Sequence, residues 1–339
     1  MDILVVNQAE VETLLPMAEC MDVMHDALRA LADGDAALPL RTVVPLRDGR
    51  SAFAAMPAYL GRPAAVGIKV ITVFPGNEGT HLDSHQGAVL LFEVEHGQLL
   101  AVMDASAITA IRTAAVSGVA TRFLARDDAA DLAILGAGVQ AMTHLEAMRV
   151  ARPIARVRVW SRSPERARRF ALRASERFAV DVEPVGSARE AVDGAAIVCT
   201  TTSSREPVLR GEWLAAGAHV NAVGASVPTA RELDSEAVRR ARLYVDRRES
   251  ALNEAGDFLI PRREGTITDD HIVGELGDLL VGRIDGRRSP AEVTLFKSLG
   301  LAVEDVAAAH HIYAKAVRAG RGRHVELGGE RRDDASLNA

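Results

Sequence analysis

The segment DLAILGAGVQA at residues 131–141 constrains the fold more than any other part of this chain. A short apolar run ends at Gly136, and the pattern becomes helical after Gly138. The first glycine permits a tight strand-to-helix turn, the second lets a pyrophosphate approach the backbone, and Ala141 is small enough for close helix–strand packing. The free N–H groups at the start of such a helix bind phosphate. Glycine turns also close ordinary βα units, so a dinucleotide site needs support from the flanking residues. The residues predicted to bind are Gly136, Ala137, Gly138, Val139 and Gln140.

The second strand of this pattern ends near Trp160, where NAD-binding proteins carry an acidic residue for the ribose hydroxyls. This chain has Ser161-Arg162-Ser163 at that place. A guanidinium between two hydroxyls suits a 2′-phosphate, because Arg offers planar, charge-assisted donors. The alternative is a solvated Arg at the start of a basic helix. We therefore predict that NADP(H) is the favoured cofactor and that NAD(H) is possible.

Apolar runs alternate with helical patterns from residue 131 to about residue 246. This alternation predicts an α/β fold with a doubly wound parallel sheet of the Rossmann type. Ligands bind such sheets at the carboxyl ends of the strands, where two loops here consist of small or hydroxyl-bearing residues. Ordinary polar loops are the alternative. Predicted strands cover 132–135, 155–160, 180–185, 195–200, 218–223 and 242–246, and predicted helices cover 139–150, 164–178, 187–192, 210–215 and 233–241. The loop residues predicted to contact the cofactor are Thr200, Thr201, Thr202 and Val223.

The first 110 residues predict a separate α+β domain with a mixed or antiparallel sheet. A helix is expected at 17–33, followed by short β-like segments between turn signals such as Asp48-Gly49 and His96-Gly97. These segments lie at 40–46, 51–56, 66–73, 87–94 and 98–103. A bridging helix is expected at 105–124, and a last helix near 301–318 returns to this domain. We expect domains at 1–113 with 305–325 and at 114–304, a chain that frays from Gly320, and a disordered tail at 326–339.

Composition excludes several classes of protein. The 339 residues are 48% apolar and 25% charged, which is typical of a globular chain, and a net charge of −6 gives no footprint for nucleic acid. No apolar run approaches the ~18 residues of a membrane span, and no leader segment is apparent, so a cytoplasmic protein is expected. Cys20 and Cys199 predict buried thiols rather than a disulfide framework. His81 and His85 have i, i+4 spacing in a loop-like segment, and no metal site is expected.

Three cations lie within otherwise apolar segments: Arg41 in RTVVPL, Lys69 in AVGIKVITV and Arg112 in ITAIRTAAV. Burying such a cation is costly unless an anion meets it, so together they suggest a clamp for a carboxylate. A buried Lys can also exchange protons near neutral pH. Alternatively, each cation reaches solvent or pairs with a structural acid; the acids considered are Asp83, Glu93 and Asp104.

Over residues 5–318 the chain resembles the ornithine cyclodeaminase/mu-crystallin family, closest to its mu-crystallin (ketimine reductase) branch. The similarity is carried by RTVVPL, MPAY, DSHQGAVLLFE, LLAVMDASAITAIRTAAVS, ILGAGVQA, GEWLAAGAHVNAVGAS, LYVD and TLFKSLGLAVED. The resemblance implies a homodimer whose N-terminal domain forms the substrate site and the dimer interface. It implies that Arg41, Lys69 and Arg112 bind the substrate carboxylate, with Arg112 also near the cofactor. It further implies cofactor contacts for Ser84, His85 and Ser298, and a 2′-phosphate site at residues 161–163.

One departure from the family pattern bears on the reaction. Cyclodeaminases carry an aspartate just after the glycine that follows the fifth strand, whereas this chain has Val223-Gly224-Ala225-Ser226. A serine cannot act as a carboxylate base near neutral pH, so Ser226 replaces the acid in the predicted catalytic set. We therefore expect NAD(P)H-dependent reduction of an α-imino acid to the L-amino acid. The alternatives are an amino-acid dehydrogenase running the reverse reaction, an NAD-dependent ornithine cyclodeaminase, and a non-enzymatic protein that binds NADPH and a small ligand.

Overall fold

The computed structural model describes residues 2–77 and 79–329, and the chain divides into two compact units. Unit 1 takes in the chain up to Pro16, Gly34–Thr109 and the chain from Ala302 onward, and unit 2 takes in Met17–Asp33 and Ala110–Leu301. The described strands are β1 (Asp2–Val6), β2 (Ala36–Ala37), β3 (Thr42–Pro45), β4 (Ala52–Leu60), β5 (Ala65–Val73), β6 (His85–Phe92), β7 (Leu99–Asp104), β8 (Asp131–Leu135), β9 (Arg156–Trp160), β10 (Val182–Pro184), β11 (Ile197–Thr200), β12 (His219–Ala222), β13 (Arg242–Val245), β14 (Ile272–Glu275), β15 (Thr294–Lys297) and β16 (Arg323–Glu326). The described helices are α1 (Gln8–Leu14), α2 (Met17–Ala32), α3 (Ala105–Leu124), α4 (Val139–Ala151), α5 (Pro164–Phe178), α6 (Ala188–Val192), α7 (Ser235–Arg240), α8 (Arg248–Glu254), α9 (Gly256–Arg263), α10 (Leu276–Leu280) and α11 (Ala302–Ala319).

Unit 1 is built on a mixed sheet in the order β16-β1-β7-β6-β5-β4-β2, with β3 also paired to β4. The β1–β7 pairing is parallel, and the other pairings are antiparallel. Side chains alternate across the sheet, as the two-residue period of a strand requires. Met56 and Ala58 are buried on one face, whereas Phe53 and Tyr59 are exposed on the other. The helix α11 packs on β4, β5 and β6.

The end of unit 1 corrects the prediction that the chain frays from Gly320. Residues Arg323–Glu326 form β16, which pairs antiparallel with β1 in the register Asp2↔Glu326. The backbone N–H of Gly322 also donates to Glu10 Oε1 at 3.0 Å. The charged composition suggested a solvated tail, but the open edge of β1 supplies backbone partners that composition does not reveal. The rest of the predicted disordered tail, from residue 330, lies outside the described residues.

Unit 2 contains the predicted parallel sheet, in the order β10-β9-β8-β11-β12-β15-β13-β14. Its core is formed by nearly continuous apolar strands, such as Ile197–Thr200, because a sheet covered on both faces buries every side chain. The strand β15 was not predicted; it is only four residues long and lies between β12 and β13. The helix predicted at 210–215 is a single 3-10 turn at Gly211–Trp213. All pairings are parallel, so the carboxyl ends of these strands share one edge.

The helix α2 belongs to unit 2, although the sequence analysis placed residues 1–113 together. It packs on α10 and α4. The approach to α10 is close, since a Cβ on Gly277 would lie 2.5 Å from the Leu28 carbonyl oxygen. The Arg283 guanidinium forms a 2.8 Å ion pair with Asp33 just after α2. The boundary differs because tertiary packing, rather than chain order, decides which core the apolar face of α2 joins.

The two cysteines behave as predicted, since Cys20 and Cys199 are both buried and form no disulfide. Burial raises the pKa of the Cys199 thiol to about 12, which keeps it protonated. Among the helices in the described part of the chain, none combines the length and apolar character that crossing a membrane requires.

Candidate functional site

The turn between β8 and α4 has the geometry that the glycine pattern predicted. Gly136 has φ = +124°, a conformation that L side chains rarely adopt, and a Cβ there would lie 2.6 Å from Thr201 Oγ1. Gly138 is the N-cap of α4, and a Cβ on it would meet no heavy atom within 4 Å. Its exposed backbone therefore leaves room for a ligand at the helix N-terminus. Ala141 is fully buried, as the third small residue of the pattern requires.

This turn fits the pyrophosphate of a dinucleotide. The N-terminal N–H groups of α4 have no side-chain cap from Gly138, so they remain available to an anion. Gln140 Oε1 is buried and has no hydrogen-bond partner among the described residues. A buried acceptor in that condition is unusual, and a phosphate oxygen would not satisfy it, because it also only accepts. The uncapped N–H groups and Gln140 both belong to the first turn of α4, next to the exposed backbone of Gly138.

The segment after β9 presents Arg162 to solvent. Ser163 is the N-cap of α5, and its hydroxyl accepts the N–H of Arg166 at 3.3 Å. Pro164 occupies the first turn, where its missing N–H costs nothing. The backbone N–H of Ser163 donates to Ser161 Oγ at 3.4 Å. Arg162 thus lies exposed between two serines whose hydroxyls each accept a backbone N–H.

The loops after β11 and β12 are held by a buried carboxylate, Glu232, that the sequence analysis missed. Its Oε1 accepts the N–H of Thr202 at 2.6 Å and the hydroxyl of Thr202 at 2.7 Å. Its Oε2 accepts the N–H of Gly224 at 2.6 Å and the hydroxyl of Thr200 at 2.8 Å. Glu232 and Thr200 are both fully buried. Of the loop residues predicted to contact the cofactor, Thr200 and Thr202 thus bind Glu232, and Thr201, Thr202 and Val223 are partly exposed.

A second buried ion pair supports Glu232. Lys297 Nζ lies 3.1 Å from Asp257 Oδ2, and both side chains are almost fully buried. Asp257 Oδ1 accepts the backbone N–H groups of Glu232 at 2.8 Å and Leu233 at 3.0 Å. Lys297 also donates to the carbonyl oxygen of Ala222, the last residue of β12, at 3.2 Å. No short motif marks this cluster; the signal available in the sequence was charged residues within apolar runs, as in TLFK.

The loop after β15 contacts Arg112. Gly300 has φ = +80°, and a Cβ on it would lie 2.5 Å from Arg112 Nη1, so the guanidinium packs directly on this backbone. Asp246 Oδ2 accepts the N–H groups of Leu299 at 2.5 Å and Gly300 at 2.7 Å, which fixes the loop. Arg112 and the predicted Ser298 are both buried and lie in unit 2. The exposed Ser226 lies on the loop after β12, in the same unit.

In unit 1, Lys69 lies on β5 with its side chain almost fully buried. Its Nζ is 2.7 Å from Asp305 Oδ2, which belongs to the first turn of α11. This acid was not among those considered from the sequence; Glu93 and Asp104 accept backbone N–H groups close to them in sequence. Lys69 is thus buried beside a structural carboxylate, which is the pairing that the sequence analysis kept as the alternative to a substrate clamp.

The other predicted residues of unit 1 lie just before, or at the start of, strands of the sheet. Arg41 is partly exposed and precedes β3. Ser84 and His85 are adjacent, with Ser84 Oγ 3.0 Å from His85 Nδ1. The hydroxyl of Ser106 donates to the backbone carbonyl of His85, which holds the start of β6 to the start of α3.

Comparison with known proteins gives one consistent assignment. The sequence model of the ornithine cyclodeaminase/mu-crystallin family matches residues 1–320. Ketimine reductase mu-crystallin of Mus musculus is 45% identical over 284 residues, which cover 83% of this chain and 86% of that protein. The structure of Thermococcus litoralis Δ1-pyrroline-2-carboxylate reductase in complex with NADH and L-proline superposes with a TM-score of 0.93 at 40% identity, covering 95% of this chain and 100% of that one. An archaeal alanine dehydrogenase dimer with bound NAD superposes with a TM-score of 0.91 at 33% identity, covering 97% and 100%.

Proposed function

Because this chain belongs to the ornithine cyclodeaminase/mu-crystallin family, we propose that it is an NAD(P)H-dependent reductase of α-imino acids. The observation that carries the proposal is the loop after β12, which presents the hydroxyl of Ser226 where deamination would need a carboxylate base. Reduction of an existing C=N bond needs no such base. It needs a site for the substrate carboxylate, a proton on the imine nitrogen and a bound hydride donor. The reductase relatives at 40% and 45% identity support this choice over the cyclodeaminase.

Each residue of the proposed site has its own role. A bound nicotinamide dinucleotide supplies the hydride, which goes to the imine carbon. The N-terminus of α4 binds its pyrophosphate at the exposed backbone of Gly138. Arg41, Lys69 and Arg112 bind the substrate carboxylate. Lys69, whose Nζ lies 2.7 Å from Asp305 Oδ2, orients the substrate and, as a proton donor, helps keep the imine protonated.

The leading substrates are cyclic imines such as pyrroline- or piperideine-2-carboxylate, and linear imino acids are the second group. The test is NADPH oxidation, followed by absorbance, with a panel of both kinds of imine over a range of pH. We expect turnover with at least one imine and formation of the corresponding L-amino acid. Absence of turnover with every imine would refute the proposal. Release of ammonia and proline from ornithine with catalytic NAD⁺ would instead identify a cyclodeaminase. If the protein reduces NAD(P)⁺ with an amino acid faster than it reduces any imine, an amino-acid dehydrogenase would be favoured.

We propose NADP(H) as the preferred cofactor, on the exposed Arg162 and its two flanking serines. The solved relatives named above carry NADH or NAD, so the proposed preference for the 2′-phosphate rests on residues 161–163 and not on those relatives. Arg162→Asp replaces a charge-assisted donor with a like charge, which should lower the ratio of kcat/KM for NADPH to that for NADH by about 30-fold or more. The measurement is steady-state kinetics with both cofactors.

Arg168→Asp is the matched control, because Arg168 is also exposed on α5 but lies beyond the first turn. It should leave the cofactor ratio within about twofold of the unaltered chain, since screening weakens a charge at that distance. If the ratio of kcat/KM for NADPH to that for NADH is unchanged in Arg162→Asp, Arg162 does not bind the 2′-phosphate.

We also propose a homodimer formed through the sheet of unit 1. The face opposite α11 carries exposed apolar side chains on paired strands: Phe53 lies opposite Val44, and Tyr59 lies opposite Val66. A contiguous apolar face of this kind is typical of a surface that another chain covers. The archaeal alanine dehydrogenase relative is described as a dimer. Sedimentation equilibrium tests this proposal, and a monomeric mass at micromolar concentration would contradict it.

A further inference from the structure

Glu232 is a fully buried acid whose side chain holds two separate loops of unit 2. We propose that Glu232 is a positioning residue: through both oxygens of its carboxyl group, it shapes the loops after β11 and β12 to receive the nicotinamide half of the cofactor. The inference rests on the proposed dinucleotide site and goes beyond it, because Glu232 itself need not touch the ligand.

The hydrogen bonds are divided evenly between the two carboxylate oxygens. Each oxygen accepts one backbone N–H and one threonine hydroxyl, at 2.6–2.8 Å. The two N–H groups belong to Thr202 and Gly224, which follow adjacent strands. Backbone N–H groups can only donate, so both oxygens must accept. Both oxygens of a carboxyl group can accept, whereas the NH₂ group of an amide would face one of the two backbone N–H groups without an acceptor.

Glu232 lies in a dry site, where burial, and after it the nearby Asp257, raises the pKa of its carboxyl. Lys297 and the hydroxyls of Thr202 and Thr200 oppose this rise but do not cancel it. Asp257 also binds the Glu232 backbone N–H at 2.8 Å, so the residue is fixed at both its main chain and its side chain. Such a hydrogen-bond network favours one geometry, because leaving any of its buried polar groups without a partner would cost free energy.

Close packing makes the loop positions depend on this side chain. A Cβ on Gly224 would lie 2.0 Å from the Thr202 carbonyl oxygen and 2.6 Å from Glu232 Oε1. The two loops thus meet backbone to backbone around the carboxylate. The first loop also abuts the nucleotide turn, since a Cβ on Gly136 would meet Thr201 at 2.6 Å.

The strand order places these loops on the nicotinamide side. Along the sheet the order is β9-β8-β11-β12, with Arg162 after β9 and the glycine turn after β8. A dinucleotide with its adenosine end at Arg162 and its pyrophosphate at Gly138 extends its other half across the ends of β11 and β12. Glu232 therefore acts on one half of the cofactor and not on the other.

The experiment compares two ligands on Glu232→Gln. One is NADPH, and the other is 2′-phospho-ADP-ribose, which lacks the nicotinamide; the pair NADH and ADP-ribose replaces them if the unaltered chain binds NADH better. Calorimetry should give a Kd for NADPH weakened about tenfold or more and a Kd for the truncated ligand within about twofold of the unaltered chain. Glu236→Gln is the matched control, because Glu236 is a solvent-accessible acid on α7 paired with Arg239. It should change neither Kd.

Two further variants keep the test decisive. Glu232→Asp retains a carboxyl group with a shorter reach and should recover part of the NADPH affinity. If Glu232→Gln does not fold, Thr202→Val removes one hydroxyl donor at similar volume and should weaken NADPH binding several-fold while sparing the truncated ligand. Equal loss for both ligands, or no loss for either, would overturn the proposal. Failure of the unaltered chain to bind any dinucleotide would instead refute the cofactor site itself.

Discussion

Replacing Lys69 with Met is expected to lower the free energy of unfolding by about 3 kcal/mol and to reduce kcat/KM for imine reduction by at least about 100-fold. The change removes the ammonium that lies 2.7 Å from Asp305, in a place where neither side chain is more than 1% exposed. A buried carboxylate that loses its cation retains its desolvation cost without the compensating attraction. The activity falls for a separate reason, because the proposed substrate carboxylate loses one of its three cations. Urea unfolding and steady-state NADPH oxidation measure the two effects.

The double variant Lys69→Met with Asp305→Asn separates these effects. It removes both charges, so most of the lost unfolding free energy should return, since a neutral pair carries little desolvation cost. Activity should stay low, because the cation for the substrate is still missing. Recovery of activity in the double variant would assign Lys69 a purely structural role. Full activity in the single variant would exclude it from the carboxylate site.

Gly136→Ala is expected to lower the free energy of unfolding by about 3 kcal/mol and to abolish detectable dinucleotide binding. The backbone at φ = +124° disfavours any Cβ, and this one would lie 2.6 Å from Thr201 Oγ1 and 2.8 Å from the Thr201 carbonyl oxygen. Relief of the clash must displace the first residues after β11 or the start of α4. Either movement alters the surface that would receive the pyrophosphate. Thermal denaturation and calorimetric titration with NADPH test the two parts.

Two other glycines serve as controls. Gly138→Ala adds a methyl group at φ = −99° with no heavy atom within 4 Å, so stability should hardly change. NADPH binding should still weaken, because the methyl group enters the space proposed for the pyrophosphate. Gly49→Ala, at φ = +65° with no neighbour within 4 Å, should cost only about 1 kcal/mol and leave cofactor binding intact. Unaltered NADPH affinity in Gly138→Ala would contradict the proposal that the pyrophosphate binds at the Gly138 backbone.

Predictions from local pattern succeeded where neighbouring residues carry the information. The glycine turn, the strands β8 to β13 and the position of Lys69 and Arg112 within apolar segments are properties of short stretches of sequence, and the structure has the turn and those strands and buries both cations. Prediction failed where a segment is short or polar and is stabilised from a distance. The four residues of β15 form a strand because β12 and β13 lie on either side, and β16 forms because β1 offers an open edge.

The sequence by itself determined that this chain contains a parallel nucleotide-type sheet, that a glycine turn opens at its carboxyl edge, and that cations lie within apolar segments. These follow from periodicity, from the φ angles that only glycine adopts readily, and from the cost of burying charge. Only the tertiary structure decided which acid meets Lys69, which core α2 joins, and that Glu232 binds two loops at once. Each of these depends on side chains brought together from distant parts of the chain, and a hydrogen bond or ion pair a few ångströms long has no counterpart in sequence spacing.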